Sequence, residues 1–545
     1  MLSTSDGDVC PPSTKTRCWP ITGQISAGFT PWHRFLDDGR VRFDADVLAA
    51  LDFPGALLRL ESQRGDFLPS TLAVRAARRA DGLVIPRTKV LLANGFSLRP
   101  VDVIFAHRYG SGTRPVPDLA IEARLVIEAL AMRLAALLAR DADLLGLTAH
   151  LDREAGQKLD FERAPLADQR PAYVATADVA SFYEYVDHDL LANEIVELTG
   201  DPGLAAAVKT ALSEMLGRGF GLPQGPHGSD VFASLYLSRV DRRLIRAGVP
   251  ITRFNDDYLI RASTASGAQR DLAGLERALR DLGLILNHQK TQVLTADQYE
   301  RGLLAYQELL QAAAIATISP PPGYTFDPDE FEGISLEDAD ESVIEAAFER
   351  ALDDNEHPFA ARTRMIDSAL PYLAAFKNLA PLWRLGELVE NWPAHIRNVN
   401  LYLRRLIDTD HEGEVIERVT RALRTHALAF PWVQGWLLDV LARSTETDDS
   451  FAEWLKDVVS ASSTPWFVRG RALIALAQTG EFAEQSLVAD LFDAAPRAGK
   501  PDIVAAVQLA EAHWSETFLS TLAGGDPVLE EVRELVTDEP LRTVL

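Results

Sequence analysis

Apolar residues recur at helical spacing through most of the chain, and strand-like segments are short. Apolar positions three and four apart, the spacing of amphipathic helices, occupy residues 68–80, 118–148, 189–199, 204–216, 225–247 and 264–282. Short β-prone runs cover 173–177 and 285–294, and two apolar flanks around a polar centre at 249–260 predict a hairpin. Helices and strands therefore alternate between residues 173 and 294, which is typical of a mixed α+β domain with an antiparallel element.

The C-terminal part carries helical patterning alone. Residues 316–342 are rich in proline and acidic residues and predict a linker. Beyond it, Pro431-Trp432 and Pro465-Trp466 open similar helices, and Pro501 opens a third, at spacings of 34 and 36 residues. Paired helices at this spacing predict a HEAT-like α-solenoid, with an irregular helical bundle as the alternative.

Composition narrows the class of protein. The chain has 545 residues, 47% hydrophobic and 24% charged, which predicts a globular protein of more than one domain. No apolar run approaches the roughly 18 residues of a membrane helix, so no membrane partner is expected. The two cysteines, Cys10 and Cys18, exclude a disulfide framework and fit a cytoplasmic protein.

Charge is distributed unevenly along the chain. The net charge of −25 argues at first against a nucleic-acid partner. Residues 1–300 contain 34 basic and 38 acidic residues, however, whereas residues 301–545 contain 20 and 41. Residues 75–114 are locally basic, with eight Lys or Arg against two Asp. This stretch predicts either a solvated face or a surface for phosphates, and charge alone does not separate the two.

Three carboxylates are candidates for chemistry. Asp178 ends the β-prone run, and Asp256 and Asp257 occupy the centre of the hairpin between apolar flanks. An Asp pair in a turn is usually solvated, but carboxylates clustered beside buried surface need a cation to offset their repulsion. Oxygen ligands alone suit Mg²⁺ or Mn²⁺. Two such ions can activate a hydroxyl and stabilise a leaving pyrophosphate, so the cluster is a candidate site for nucleotidyl transfer.

Four segments together resemble the palm motifs of reverse transcriptases. They are Asp-Val-Ala-Ser-Phe-Tyr at 178–183, Gly-Leu-Pro-Gln-Gly-Pro-His-Gly-Ser at 221–229, Phe-Asn-Asp-Asp at 254–257 and Leu-Asn-His-Gln-Lys-Thr at 286–291. The hairpin departs from the commonest family pattern at two positions. Phe254 stands where tyrosine is usual, and Asn255 replaces a small or apolar residue, but both changes leave the carboxylates intact.

The resemblance implies a right-hand polymerase with α+β fingers and palm, followed by an all-α HEAT-like solenoid. Residues 1–170 would form the N-terminal region and fingers, and 171–315 the palm. Residues 316–342 would be the linker, and 343–545 the helical repeat domain.

The resemblance also implies roles for individual residues. Asp178, Asp256 and Asp257 would be catalytic and, with the Val179 carbonyl, would bind Mg²⁺ or Mn²⁺. Tyr183 would be the aromatic gate that disfavours a ribose 2′-hydroxyl. The residues expected at the nucleotide are Val179, Phe182, Tyr183, Gln224, Gly225, Lys290 and Arg114. Lys290 would lie near the triphosphate as a candidate proton donor, although a surface lysine is an equal alternative. The basic stretch 75–114 would contact triphosphate or template phosphates.

A palm followed by helical repeats resembles bacterial abortive-infection and defence-associated reverse transcriptases. That likeness implies antiphage defence and homo-oligomerisation. It also implies synthesis of a DNA product from dNTPs, on an RNA template, guided by noncoding RNA, or untemplated and primed by a tyrosine. A polymerase-like scaffold that binds RNA or protein with little catalysis is the main alternative, and a ribonucleotide polymerase is another.

Overall fold

The N-terminal part combines helices with one small hairpin. The computed structural model describes residues 40–63, 67–69, 72–100, 102–139, 157–167, 170–317, 335–337, 339–353, 356–427, 430–444, 451–479, 485–510 and 516–545. Both cysteines and most of the linker predicted at 316–342 lie outside these residues. The first elements are α1 (Ala45–Ala50), α2 (Phe53–Ser62), α3 (Leu72–Arg79), α4 (Asp81–Asn94), β1 (Val103–His107), β2 (Thr113–Pro117), α5 (Ile121–Leu138) and α6 (Gln157–Ala167).

The hairpin of β1 and β2 has no counterpart among the sequence predictions. Its second strand reads Thr-Arg-Pro-Val-Pro, and proline is unusual in strands because it cannot donate to the ladder. The two strands nevertheless pair in antiparallel register from Val103 opposite Pro117 to His107 opposite Thr113. The predicted helices at 68–80 and 118–148 correspond to α3 and α5, and the described part of the latter ends at Leu138.

The central part forms an antiparallel four-stranded sheet with strand order β4-β5-β3-β6. Its elements are β3 (Tyr173–Asp178), α7 (Phe182–Tyr185), α8 (His188–Thr199), α9 (Pro202–Leu216), α10 (Gly228–Arg246), β4 (Ile251–Phe254), β5 (Asp257–Ala262), α11 (Ala265–Arg280) and β6 (Gln292–Thr295). The predicted hairpin at 249–260 is confirmed as β4 and β5. Of the run 285–294, only the end joins a strand, and Leu286 forms a single bridge to Val179.

Both faces of this sheet are covered. Ala175, Ala177 and Ile260 point into the main core, whereas Val174 and Leu259 point into a second small core. The second core is completed by Phe161 of α6 and Tyr299 of the helix that follows β6. Successive side chains of a strand alternate between faces, so Asp178 and Asp257 belong to the face of the second core.

The C-terminal part is helical throughout the residues that the structure describes. Its helices are α12 (Ala296–Thr317), α13 (Glu341–Asp353), α14 (Phe359–Phe376), α15 (Ala380–Trp383), α16 (Leu385–Asn391), α17 (Ile396–Leu406), α18 (Glu412–Thr425), α19 (Pro431–Leu441), α20 (Ala452–Ser460), α21 (Trp466–Gln478), α22 (Gln485–Ala494), α23 (Lys500–Leu509), α24 (Glu516–Ala523), α25 (Pro527–Asp538) and α26 (Leu541–Val544), with a 3₁₀ turn at Pro393–His395. No described helix anywhere in the chain has the length and apolar character needed to cross a bilayer.

These helices stack in two layers, which we call the helical row. Helices α14, α17, α19, α21, α23 and α25 contact one another in succession, and α18, α20, α22 and α24 pack against this inner layer. Glycines let neighbouring helices approach: a Cβ at Gly435 would lie 1.9 Å from Phe467 Cε2, and one at Gly470 would lie 2.8 Å from Asp502 Cβ. The Pro-Trp repeat of the sequence thus marks helices that stack on each other.

The far end of the helical row returns to the N-terminal helices. Helix α25 packs against α3. Arg79 of α3 forms ion pairs with Glu531 at 2.6 Å and Asp538 at 2.9 Å, and Arg87 of α4 pairs with Asp526 at 3.1 Å. The expectation that the basic stretch 75–114 faces phosphates is therefore wrong for Arg79 and Arg87. The acidic C-terminal helices neutralise these two arginines within the same chain.

Candidate active site

Strand register brings the predicted carboxylates together. Asp178 at the end of β3 lies directly opposite Asp257 at the start of β5. Residues opposite each other on paired strands project to the same face, so the two carboxylates are neighbours. Asp256 occupies the turn itself, and its carbonyl accepts a hydrogen bond from the Val179 amide at 3.2 Å. The expectation that Asp178 converges on the 256–257 turn is confirmed.

A buried ion pair beneath the turn holds it in place. The Arg253 guanidinium donates to Asp241 from Nε at 2.8 Å and from Nη2 at 2.6 Å, and to the Asn255 carbonyl at 2.9 Å. The Tyr258 hydroxyl donates to the other Asp241 oxygen at 3.0 Å. Asn255 has φ +54°, in the left-handed region that asparagine tolerates better than most residues. The turn geometry therefore accounts for asparagine at this position.

Burial and neighbouring charges raise the pKa of two of the three carboxylates. Burial, followed by the charges of Asp257 and Asp178, raises the pKa of Asp256 to about 6. Burial also raises the pKa of Asp257, and Lys158, whose Nζ lies 3.5 Å from Asp257 Oδ2, opposes this shift. A pKa rises in this way where a carboxylate is poorly solvated and other carboxylates lie close by. The site thus holds excess negative charge that surrounding groups offset only partly.

Two residues of the 286–291 segment bind the Asp178 carboxylate. Lys290 Nζ lies 2.9 Å from Asp178 Oδ1, and Asn287 Nδ2 donates to Oδ2 at 3.0 Å. The Asn287 amide also donates to the Asp178 carbonyl at 2.7 Å. Lys290 therefore belongs to the acid cluster and is not a detached surface lysine. Asn287 and Lys158 were not expected at the site; for Asn287 the signal was its place in the Leu-Asn-His-Gln-Lys-Thr segment, and Lys158 has no such signal.

The acid cluster has the donor chemistry of a divalent-cation site. Among the residues that the structure describes, no three His, Cys, Asp or Glu side chains already surround one point as ligands. The ammonium groups of Lys290 and Lys158 instead lie against Asp178 and Asp257. Carboxylate oxygens prefer hard divalent cations, and the raised pKa of Asp256 shows that more positive charge would be favourable there. The residues present fit Mg²⁺ or Mn²⁺.

The glycine-rich loop at 221–229 is fixed beside the cluster. Gly225 has φ +116°, which strongly disfavours any side chain, and a Cβ there would lie 3.8 Å from the Phe67 ring. Ser229 Oγ donates to the Pro223 carbonyl at 2.7 Å, and the Gly228 amide donates to buried Glu128 at 2.8 Å. Gln224 is buried within this loop. A backbone held rigidly in this way suits positioning of a flat ligand such as a base pair.

Arg114 of the N-terminal hairpin reaches the same place. Its guanidinium lies 5.0 Å from the centroid of the Phe67 ring. Burial and the nearby charge of Arg108 lower the pKa of Arg114, and Asp256 and Tyr183 oppose the shift. Arg114 is thus the residue of the basic stretch that lies within electrostatic range of the acid turn.

The aromatic residues after Asp178 divide between site and core. The Tyr183 hydroxyl donates to Asp230, and the Tyr183 carbonyl accepts from the Leu222 amide at 2.6 Å. Phe182 is 2% exposed and packs against Tyr183 and Tyr236. The expectation that Phe182 contacts a nucleotide is wrong, because its ring is enclosed in the core. Val179 is 1% exposed, and its side chain likewise belongs to the core.

A family model matches the part of the chain that contains this site. Residues 111–319 match the family model described as reverse transcriptase (RNA-dependent DNA polymerase), which supports a reverse-transcriptase domain over this region. No curated protein matches the chain. A solved structure of Candida albicans telomerase in complex with a telomeric RNA fragment is similar at 9% identity and a TM-score of 0.31, over 67% of this chain and 65% of that one. Apo telomerase from Candida tropicalis is similar at 11% identity and a TM-score of 0.27, over 79% and 70% of the two chains.

Proposed function

We propose that this protein is a reverse-transcriptase-type polymerase that joins dNTPs into DNA at the acid cluster. One observation carries the proposal: Asp178 and Asp257 are register partners beside Asp256, within the region that matches the reverse-transcriptase family. The elevated pKa of Asp256 supports it, because perturbed carboxylates cluster where charged substrates and cations bind.

Asp178, Asp256, Asp257 and the Val179 carbonyl would hold Mg²⁺ or Mn²⁺. When bound, such a cation neutralises phosphate charge and makes a primer hydroxyl more acidic. The protein's own groups orient the ligands. Asn287 fixes one oxygen of Asp178, and the buried pair of Arg253 with Asp241 fixes the turn that carries Asp256.

The nucleotide would lie between the loop at 221–229 and the N-terminal hairpin. Arg114 would bind the triphosphate, and Gln224 and Gly225 would contact the base pair. Tyr183 would act as the gate against a 2′-hydroxyl, with its ring orientation held by Asp230. Lys290, which pairs with Asp178 and is 64% exposed, would exchange this partner for a phosphate oxygen when a nucleotide binds.

The domain boundaries and the finer biology belong to the same proposal. Residues 1–170 would comprise the N-terminal region and fingers, 171–315 the palm, 316–342 the linker and 343–545 a HEAT-like repeat domain. Stacking of every second helix in the row supports the repeat interpretation. Antiphage defence, homo-oligomerisation, a cytoplasmic location and an RNA template or noncoding RNA rest on the resemblance of the motifs.

Incorporation of labelled dNTPs on an RNA template with a DNA primer and Mg²⁺ tests the proposal. We expect Asp256→Asn to reduce incorporation at least about a thousandfold, which corresponds to roughly 4 kcal/mol of barrier. Asp297→Asn is the matched control, since that carboxylate is 81% exposed on α12 and should leave the rate unchanged. No incorporation by the wild type on any primer would favour an RNA- or protein-binding scaffold. A preference for NTPs would favour a ribonucleotide polymerase.

A further inference from the structure

The palm carries a patch of exposed parallel rings outside the acid cluster. Tyr185 is 53% exposed and Phe220 is 39% exposed. Their ring centroids are 6.4 Å apart and their planes differ by 6°. The Arg218 guanidinium lies 4.5 Å from the centroid of the Phe220 ring. We call Tyr185, Phe220 and Arg218 the aromatic patch. The core does not account for large rings at this exposure.

The aromatic patch adjoins the active-site motifs but faces away from the carboxylates. Tyr185 follows Tyr183 by two residues in the one-turn helix α7, and helical residues two apart point to different sides. Tyr183 turns towards Asp230, so Tyr185 turns elsewhere. Phe220 immediately precedes the glycine-rich loop and pairs with Asp187 in an isolated bridge. A ligand on the patch would therefore lie next to the site and outside it.

A basic face lies beside the patch. Arg239, Arg243 and Arg246 of α10 are spaced at i, i+4 and i+7, which aligns them on one side of the helix. They line a cleft with Leu190 of α8 and Asp281. We call these three residues the arginine face. The cleft is connected to the patch through the first turn of α8, where the Leu190 amide donates to Asp187 at 2.8 Å and Asp187 is the bridge partner of Phe220.

Most of the arginines at the patch and the arginine face have no carboxylate partner among the described residues. Asp281 pairs with Arg243, but in the described part of the chain no carboxylate pairs with Arg218, Arg239 or Arg246. The helix dipole favours basic residues in the last turn of α10, which covers Arg243 and Arg246 but not Arg239. Arg218 Nε donates to the Phe220 carbonyl at 3.1 Å, which holds its guanidinium beside the ring. In a chain with net charge −25, arginines without carboxylate partners form a local basic surface that suits an anionic ligand.

Rings beside guanidinium groups match the two parts of a single-stranded nucleic acid. Exposed aromatic faces stack unpaired bases, and arginines neutralise the phosphates between them. A protein partner is the alternative, because aromatic rings and arginines are also enriched at protein interfaces. Three arginines in line on one side of a helix, however, match the regularly repeated phosphates of a nucleic-acid strand. Unpaired arginines bordering the rings favour the nucleic acid.

We propose that the aromatic patch and the arginine face together bind an unpaired stretch of RNA outside the catalytic cleft. The identity of the strand as RNA rests on the proposed function, in which RNA serves as template. The rings hold bases, and Arg239 and Arg246 hold backbone phosphates.

Fluorescence anisotropy with a labelled, unstructured RNA oligonucleotide tests this, using the full chain without dNTPs or divalent cations. We expect Tyr185→Ala with Phe220→Ala to weaken RNA binding about tenfold or more. We expect Arg239→Ala with Arg246→Ala to reduce the slope of log affinity against log salt by about 1.4. Tyr185→Phe should keep the wild-type affinity, because stacking needs the ring and not the hydroxyl.

Matched controls come from the helical row. Phe359→Ala removes a 46% exposed ring that stacks on Trp392 at 5.6 Å, and Arg421→Ala removes a 57% exposed arginine. Both should leave RNA binding unchanged. Ultraviolet crosslinking of the same RNA should join it to peptides containing Tyr185 or Phe220, which also checks the site in wild-type protein.

Unchanged RNA affinity in both double variants, or crosslinks only elsewhere, would overturn the proposal. So would a change of oligomeric state with intact RNA binding, which would identify a protein contact. Tighter binding of a DNA strand of the same sequence would overturn the choice of RNA. If the wild type binds RNA through the patch but incorporates no dNTP, the RNA-binding proposal holds and the polymerase proposal fails. If the wild type incorporates dNTPs but binds RNA equally well without the patch, the polymerase proposal holds and the RNA-binding proposal fails.

Discussion

The palm and the helical row both bury carboxylates, but they balance the charge differently. In the row, Asp439 is 1% exposed and accepts from Arg443 Nε at 3.0 Å, with Arg471 Nε at 3.6 Å. Burial alone would raise the pKa of Asp439, yet Arg443 and Arg471 outweigh it and hold the pKa below its usual value. In the palm, burial raises the pKa of Asp256, and the charges of Asp257 and Asp178 raise it further.

The two groups of buried carboxylates differ in what compensates their charge. Opposite charges buried together satisfy each other, and losing one partner leaves the others uncompensated. Like charges buried together are costly to the fold and persist where a ligand supplies the missing charge. Asp439 therefore serves the stacking of α19 on α21, whereas the surroundings of Asp256 fit the cation binding proposed above.

The largest expected effect tests this contrast directly. Asp439→Ala should lower the free energy of unfolding by about 3–5 kcal/mol, because Arg443 and Arg471 remain buried without their carboxylate. Asp256→Asn should not lower it, since removing one of three like charges relieves repulsion. Urea unfolding followed by circular dichroism measures both variants against wild type. Equal destabilisation by the two substitutions would erase the distinction between the regions.

A second effect comes from the junction of the two regions, where Asp118 is buried. Burial, with Asp102 and Asp502 nearby, raises the pKa of Asp118 to about 7, against the opposing charges of Arg124 and Arg471. The folded state therefore keeps a proton that the unfolded state has released between about pH 4 and pH 7. Stability due to this group is largest at low pH and is lost as the pH rises through that window.

Substitution of Asp118 should remove this dependence. Between pH 5 and pH 8, wild-type protein should lose on the order of 2–3 kcal/mol more unfolding free energy than Asp118→Asn. Urea midpoints of both proteins at the two pH values give the difference. If the difference in unfolding free energy between the two proteins stays constant across this range, Asp118 is ionised in the folded protein. Its charge would then be compensated by the nearby arginines, as the charge of Asp439 is.

The sequence predicted the palm better than its surroundings, for a physical reason. The acid cluster is assembled from neighbouring strands of one sheet, and each strand carries its own local pattern and turn signal. Register then follows, because a slip of one residue would move Asp178 and Val174 to the opposite face. Asn255 shows the same principle, since a residue that tolerates positive φ sits where the turn requires it.

Contacts between segments far apart in the chain could not be predicted from local sequence patterns. Arg79 pairs with Glu531 and Asp538 across most of the chain, so a basic stretch that pattern alone assigned to phosphates is partly occupied by the protein's own acids. The hairpin carrying Arg114 was hidden by its prolines. Phe182 was misassigned because adjacency to Tyr183 in sequence says nothing about which ring faces the core.

The smallest expected effect lies where the two regions touch the site. Trp432 and Trp436 of α19 both donate their indole N–H groups to the Phe67 carbonyl, the second at 3.2 Å. Phe67 lies under the Arg114 guanidinium and beside Gly225, so the helical row helps to position the proposed triphosphate contact.

The double variant Trp432→Phe and Trp436→Phe removes both donors and keeps the aromatic rings. It should loosen Phe67 and raise KM for dNTP about fivefold with little change in kcat, as expected for the loss of about 1 kcal/mol of hydrogen bonding. Trp383→Phe, which removes a comparable donor to Glu414 on the exposed side of the row, is the control and should leave both constants unchanged. An unaltered KM in the double variant would mean that the row supports the fold of the palm without adjusting its site, and the two regions would then be coupled only through stability.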